Sequence, residues 1–454
     1  MTRYVAPLAL LPDGWQADVV LAVGADGLLG PGTGEAGSDP ALPRLPGPVV
    51  PGVVNAHSHA FQRALAGGAE VRSGTGDSFW SWREQMYRFL DRLTPEQVQA
   101  VATQLYVELL EQGYTRVVEF HYLHHAPDGR PHDDPLEMSR RIVAAARTAG
   151  IGLTLLPVLY QTGDFGGTAP TPGQRRFLHD TDAFLDLLRA LAAEQGPGFV
   201  PGYAFHSLRA VPPAALGRVL AEAPEGGPIH VHAAEQRREV RDSLAWSGLR
   251  PVEWLLEHGG LDPRWSLVHC THVNQEETEA LAASGATAVV CPTTEANLGD
   301  GFFPLVEWLD AGGSLAVGSD SHVSTSPAEE LRWLEYGQRL LTGGRALAAT
   351  EGLPSTGRRL LEAVWAGGGR AAGTGAGALS PGCPADWVVL EPDHPVLVGR
   401  TGDGLLDAWI FSGNEAPVGE VWVGGRRVVA GGVHPRRAEA RQAFGEVMRA
   451  LLRG

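Results

Sequence analysis

This chain of 454 residues contains no lysine: all 36 of its basic residues are arginine. That absence removes every mechanism that needs an ε-amine. A Walker A phosphate loop, a pyridoxal or aldolase Schiff base, and a carboxylated lysine bridging two metals are all excluded. Cysteine is nearly absent as well, with only Cys270, Cys291 and Cys383. An odd number of widely spaced thiols is neither a disulfide framework nor a zinc ribbon, and it fits a reducing compartment. No run reaches the roughly 18–20 apolar residues of a membrane span, and an N-terminal stretch broken by Pro7, Pro12, Asp13 and Gly14 makes a poor signal peptide. The expectation is a cytoplasmic protein with no membrane partner. Net positive charge is lacking too. A formal net charge of −16 argues against nucleic acid as a partner and leaves an acidic substrate only a local arginine cluster to bind.

What is present is ample core material, 44% hydrophobic residues with 12 Trp, arranged in two styles. Residues 1–48 read as short strands and turns, and the same style returns at Ala385–Leu390 and Val418–Val429. Both termini are therefore expected to build one small β-sandwich domain, residues 1–48 and 376–435, closed by a helix within 436–454. Between them, strand-like runs start near Val49, Thr115, Ile151, Phe199, Pro228, Trp265, Ala286 and Ser314, separated by helix-length segments. That alternation predicts an α/β fold, a (β/α)8 TIM-like barrel over 49–375. The Gly-rich stretch Gly367–Gly382 lacks a preceding strand and reads as a connector, not a dinucleotide loop.

Most of the strand runs end in polar residues, the face where such barrels carry catalysis. The first leads into His57-Ser58-His59, two imidazoles at i and i+2 that share a face, roughly 6.5–7 Å apart along the backbone. Alone, this pair is also compatible with two hydrogen-bonded histidines. His232, His269 and Asp320 end later strand runs on the same rim, and three histidines with one aspartate suit Zn2+ or Fe2+ with room for water. Glu235, three residues after His232, can fold back over a metal as a general acid/base, although a glutamate at a helix N-terminus reads the same way. Trp80, Trp82, Tyr87 and Phe89 read as packing, and Cys270 as a core residue pointing away from His269.

In combination, Pro51-Gly52 to His57-Ser58-His59, His232-x-x-Glu235, His269, Gly318-Ser319-Asp320 and Leu379-Ser380-Pro381-Gly382 with Ala385-Asp386 resemble the amidohydrolase superfamily, in its mononuclear deaminase branch. Within it, Asn55–Arg63, Ser78–Tyr87, Glu119–His125, His206–Arg209, Cys291–Gly301 and Glu330–Tyr336 resemble the rim of the members that deiminate N-formimino-L-glutamate. The resemblance implies one zinc held by His57, His59, His232 and Asp320, with Glu235 as proton shuttle and His269 as hydrogen-bond partner of the reacting group. It implies a dicarboxylate substrate held by Gln62, Arg83, Tyr122, His206 and Arg209, hydrolysis to N-formyl-L-glutamate and ammonia as a step of histidine degradation, and a homodimer. Two pocket arginines suit two carboxylates independently, since guanidinium–carboxylate pairing is strong and directional. The alternatives are deamination of a purine, pyrimidine or triazine ring by the same metal set, and a non-catalytic barrel scaffold. The cytidine-deaminase pattern is absent.

Overall fold

The structure, a computed structural model, describes residues 1–37, 39–70 and 79–453. Three strands come from the N-terminal side, β1 (Thr2–Leu11), β2 (Gly14–Val23) and β3 (Val49–Pro51). The central strands are β4 (Val53–Ser58), β5 (Tyr114–His121), β6 (Gly152–Leu159), β7 (Phe199–Pro201), β8 (Tyr203–Ser207), β9 (Ile229–Ala233), β10 (Trp265–His269), β11 (Thr287–Val290) and β12 (Ser314–Val317). Then β13 (Trp387–Leu390), β14 (Val418–Val423) and β15 (Arg426–Ala430) return to the terminal sheet. The central strands are buried almost throughout, as parallel strands covered on both faces must be.

Eight of them pair in parallel in the order β4-β5-β6-β8-β9-β10-β11-β12, with β7 added beside β6. The ring closes at Ser58 and Asp320. There the Asp320 N–H donates to the His57 carbonyl at 3.0 Å, and the His59 N–H donates to the Asp320 carbonyl at 3.2 Å. This is the (β/α)8 barrel that the alternating pattern predicts, and its seam runs through the histidine pair.

The run from Val49 to Asn55, expected as one strand, is two. Val49–Pro51 pairs with β1 and β13 in the terminal sheet, and only from Val53 does the chain enter the barrel. Gly52 makes the break possible, because a Cβ there would lie 2.3 Å from the Thr115 side chain. The terminal strands join in the order β15-β14-β13-β3-β1-β2, and the sheet curls so that Tyr4 of β1 meets Trp422 of β14 at 4.8 Å, bringing its two halves face to face. β3 is the link: parallel to β1 and antiparallel to β13, it joins the two ends of the chain edge to edge.

Period-two patterning decides how this sheet sits. Val49, Trp387 and Val389 belong to a small core on one face, whereas their neighbours Val50, Val388 and Leu390 face the barrel core. The C-terminal helix spans Arg437–Leu452. Gly367–Gly369, read as the start of a connector, lie inside the helix Thr356–Ala371. Among the described residues no helix is long and apolar enough to cross a membrane.

Candidate active site and metal centre

Strand alternation carries His57 and His59 to one point at the closing seam. Their Nε2 atoms approach to 3.1 Å, and His232 Nε2, from the end of β9, also lies 3.1 Å from His57 Nε2. Asp320 Oδ1 completes the group at 3.6 Å from His57 Nε2 and 3.3 Å from His59 Nε2. Ligands at about 2.0–2.2 Å from a tetrahedral ion stand about 3.3–3.6 Å from one another. The four residues therefore fit a single divalent cation. Their protonation agrees: burial, reinforced by neighbouring imidazoles, holds His57 and His232 well below the ordinary imidazole value. Burial also takes His59 down to about 3, against the pull of the Phe120 carbonyl. Neutral imidazole is the ligating form. His59 Nδ1 donates to that carbonyl at 2.8 Å, which leaves its Nε2 lone pair toward the centre.

The seam is braced from behind. Gly318 lies so close to His57 that a Cβ would meet its Cβ, N and O at 2.6–2.7 Å. Asn55 clamps Ser319 twice, its Nδ2 donating to Oγ at 2.6 Å and its Oδ1 accepting from the backbone N–H at 3.1 Å. Glu119, expected only as a polar strand-end residue, accepts from Ser58 Oγ at 2.6 Å and from the Ala60 N–H at 2.7 Å, so it anchors the chain leaving β4. His322 packs behind Asp320, hydrogen-bonded to Ser319 Oγ at 2.8 Å and Ser58 Oγ at 3.1 Å.

Backbone strain gathers here. Ala234, His269, Cys270, Asp320 and His322 all adopt positive φ, a conformation that L-residues other than glycine seldom take. Such residues cluster where a surrounding fold forces a functional geometry. The turn at Ala234 brings Glu235 back over the pocket, and Glu239 holds that turn by accepting from the Ala234 and Glu235 N–H groups at 3.2 and 3.0 Å. Glu235 Oε1 then lies 3.7 Å from His269 Nε2. On its other side His269 Nδ1 stands 3.3 Å from Glu295 Oε1. Burial works against a charge on His269, but Glu235, Glu295 and Asp320 outweigh it and raise the imidazole to about 10. Burial pushes Asp320 up to about 7, resisted by His269 and reinforced by Glu235 and Glu295.

A pocket opens over this group, lined by His59, His232, Glu235, His269 and Asp320 on its floor. Gln62, Arg83, Tyr122, His206 and Arg209, all expected from the sequence, line its walls. Gln62 Nε2 donates to Tyr122 Oη at 2.8 Å, while its buried Oε1 has no partner. Arg209 is buried and Arg83 half-buried; among the described residues neither forms an ion pair, and the Nε of each lacks a partner. Both stack on Trp80, at 4.6 Å for Arg83 and 5.4 Å for Arg209. Two guanidinium groups without an ion pair among the described residues therefore line the pocket above Glu235 and His269.

A family model for the amidohydrolase family matches residues 49–428. The chain belongs to the amidohydrolase family. It is 50% identical over 453 residues to the formimidoylglutamate deiminase of Pseudomonas aeruginosa, covering 100% of both chains. A 5-methylthioadenosine/S-adenosylhomocysteine deaminase of Natronomonas pharaonis is 28% identical, across 84% of this chain and 81% of that one. The crystal structure of an amidohydrolase from Brucella melitensis superposes with a TM-score of 0.94 at 48% identity, covering 100% of each chain.

Several residues of this amidohydrolase site escaped sequence reasoning. Tyr160 and Phe177 line the pocket, and Tyr160 directly follows β6, so the strand-end rule that found the histidines would have found it. Trp82 and Tyr87, read as packing, also line the pocket with Phe79 and Met86, because one face of the helix Phe79–Leu90 lies over its mouth. Ser78, part of a rim motif, lies outside the described residues. Asp300 accepts a hydrogen bond from Gln236 Nε2, and burial, with Glu235 near it, raises its carboxyl to about 9. His121 and His124 are buried away from the pocket.

Proposed function

We propose that this amidohydrolase deiminates N-formimino-L-glutamate by hydrolysis, releasing ammonia and leaving N-formyl-L-glutamate, with one zinc ion held by His57, His59, His232 and Asp320. The observation that carries the substrate is the pair Arg83 and Arg209, guanidinium groups on the pocket wall that form no ion pair among the described residues. Each can take one carboxylate of a flexible dicarboxylate, whereas a neutral purine gives them nothing to pair with. The full-length 50% identity to a formimidoylglutamate deiminase supports the same reading.

A divalent ion held by His57, His59, His232 and Asp320 would supply Lewis acidity and a water acidified toward a pKa of about 7. Glu235, beside His269 over the histidine group, takes a proton from the attacking water and delivers it to the imine nitrogen. His269, positively charged and held by Glu295, donates a hydrogen bond to the oxygen that adds to the carbon. Collapse of the tetrahedral carbon with ammonia as leaving group consumes one water and breaks one carbon–nitrogen bond. Gln62 Oε1, a buried acceptor without a partner, is available to a substrate N–H group.

The test is ammonia release from N-formimino-L-glutamate by the zinc-loaded protein, alongside Glu235→Gln. The variant should lose about 10²–10⁴-fold in kcat, the usual contribution of a positioned acid/base group. Turnover that survives in Glu235→Gln sinks the shuttle but not the substrate. No turnover by metal-loaded parent protein sinks the substrate, and ring deaminations would come next.

A further inference from the structure

At the end of the barrel opposite the active site, a cleft of about 670 Å³ separates the terminal sheet from the first barrel strands. Arg116, at the start of β5, and Asp386, just before β13, both line it. Arg116 is 5% exposed, and its Nε and Nη1 are buried without any hydrogen-bond partner. Asp386 is likewise 5% exposed; its Oδ1 accepts from the Gly424 N–H at 2.7 Å, but its Oδ2 is buried and unpartnered. Each carries enough charge to perturb the other, yet among the described residues they form no ion pair. Two opposite, largely buried charges left apart are unusual, because a buried charge is costly until it is paired.

The walls beside the two side chains are open. Gly152 packs under the guanidinium, where a Cβ would sit 3.0 Å from Arg116 Cζ, and the Gly24–Leu28 and Gly424–Gly425 turns form the opposite side. Arg147 and Arg426 stand exposed at the rim. Arg116 precedes His121 by five residues on one strand, about 16 Å, so this cleft is separate from the catalytic pocket.

We propose that this cleft binds a small α-amino acid, its carboxylate taken by Arg116 and its ammonium by Asp386. A ligand that carries an ammonium and a carboxylate on one carbon joins the two groups that the fold holds apart, which neither a simple anion nor a simple cation does. This inference is independent of the substrate assigned to the active site.

The experiment is calorimetric titration of the zinc-loaded protein with glycine, acetate and methylammonium. Glycine should bind with Kd of about 1 mM, and the other two about tenfold more weakly or worse. Arg116→Gln and Asp386→Asn should each weaken glycine binding about tenfold while leaving turnover unchanged. Arg209→Met should bind glycine as the parent does. No heat from glycine overturns the proposal. So does acetate binding as tightly as glycine, or glycine binding that is lost in Arg209→Met, which assigns it to the catalytic pocket. Should Arg116→Gln fail to fold, Asp386→Asn, which keeps the Gly424 hydrogen bond and the side-chain shape, carries the same test.

Discussion

The two pocket arginines should fail differently when removed. Arg83 is half-buried, stacks on Trp80 and touches no acidic partner among the described residues, so Arg83→Met removes a carboxylate contact and little else. Arg209 is 5% exposed, and its charge reaches further. Burial raises the Glu239 carboxyl, and Arg209 opposes that rise, together with the backbone N–H groups of Glu235 and Gln236. Glu239 in turn accepts from the backbone N–H groups of Ala234 and Glu235, which orients Glu235. Breaking one charge-assisted contact in a desolvated site costs about 2–5 kcal/mol, and each 1.36 kcal/mol is tenfold, so kcat/KM should fall by about 30- to 5000-fold. Arg83→Met should sit near the lower limit, with the loss in KM. Arg209→Met should sit near the upper limit, with kcat reduced as well, because a more protonated Glu239 grips the Glu235 turn less firmly. Raising the pH deprotonates Glu239 and should return part of the lost kcat in Arg209→Met but not in Arg83→Met. The assay is steady-state ammonia release across pH. Both variants staying within threefold of the parent in kcat/KM would refute carboxylate binding by this pair. A kcat in Arg209→Met that shows no recovery with pH would refute the link through Glu239.

Chelation should abolish turnover and lower the thermal midpoint, since an ion bound only by the folded state stabilises it; restoring zinc and ferrous iron separately, with metal content measured, identifies the working ion. Gly318→Ala forces a Cβ against His57 backbone that cannot swing away, so it should cost about 1–3 kcal/mol and reduce metal content, read by a thermal midpoint and metal analysis. His179 belongs to a histidine group behind the pocket with His124 and His125, its rings 4.5 and 4.7 Å away. Burial, with His125 beside it, lowers His179 to about 4. The unfolded chain therefore binds the extra proton between about pH 6.5 and 4, so stability is full above that window and falls by up to about 3 kcal/mol as the pH drops through it. His179→Phe should flatten the dependence of the thermal midpoint on pH in this window, and an unchanged slope would disprove the assignment.

How much of this was legible in the sequence depends on whether the signal was local. His57 and His59 announce themselves because strand alternation puts i and i+2 on one face, and His232 and His269 because they end apolar runs that can only be barrel strands. Asp320 was legible for the same reason, although its strand ends at Val317 and a tertiary bridge to Ser58 carries the chain on. The division of Val49–Asn55 between two sheets was not legible, because an unbroken apolar run reads the same whichever sheet it joins. Only the clash that any side chain at Gly52 would make with Thr115 separates the two, and that neighbour is distant in sequence. The aromatic wall from the helix Phe79–Leu90 was missed for a related reason. Phe79, Trp82 and Met86 at i, i+3 and i+7 look like core, and whether the face they share meets a barrel wall or a substrate cavity depends on where the helix docks.

The same distinction explains why the acid/base centre is more elaborate than its motif. His-x-x-Glu supplies the residues, but the geometry also involves a positive φ at Ala234, two N–H groups held by Glu239, and the charge of Arg209, which opposes the rise that burial imposes on the Glu239 carboxyl. None of these has a sequence signature at the motif itself. A chain without lysine makes Arg209 the natural residue for this place: a guanidinium keeps its charge when buried, whereas a buried ammonium loses it readily. Arg209→Lys, which preserves formal charge, should therefore behave more like Arg209→Met than like the parent, and a variant with parental kcat would show that charge alone, without the fork geometry and the high pKa, is sufficient.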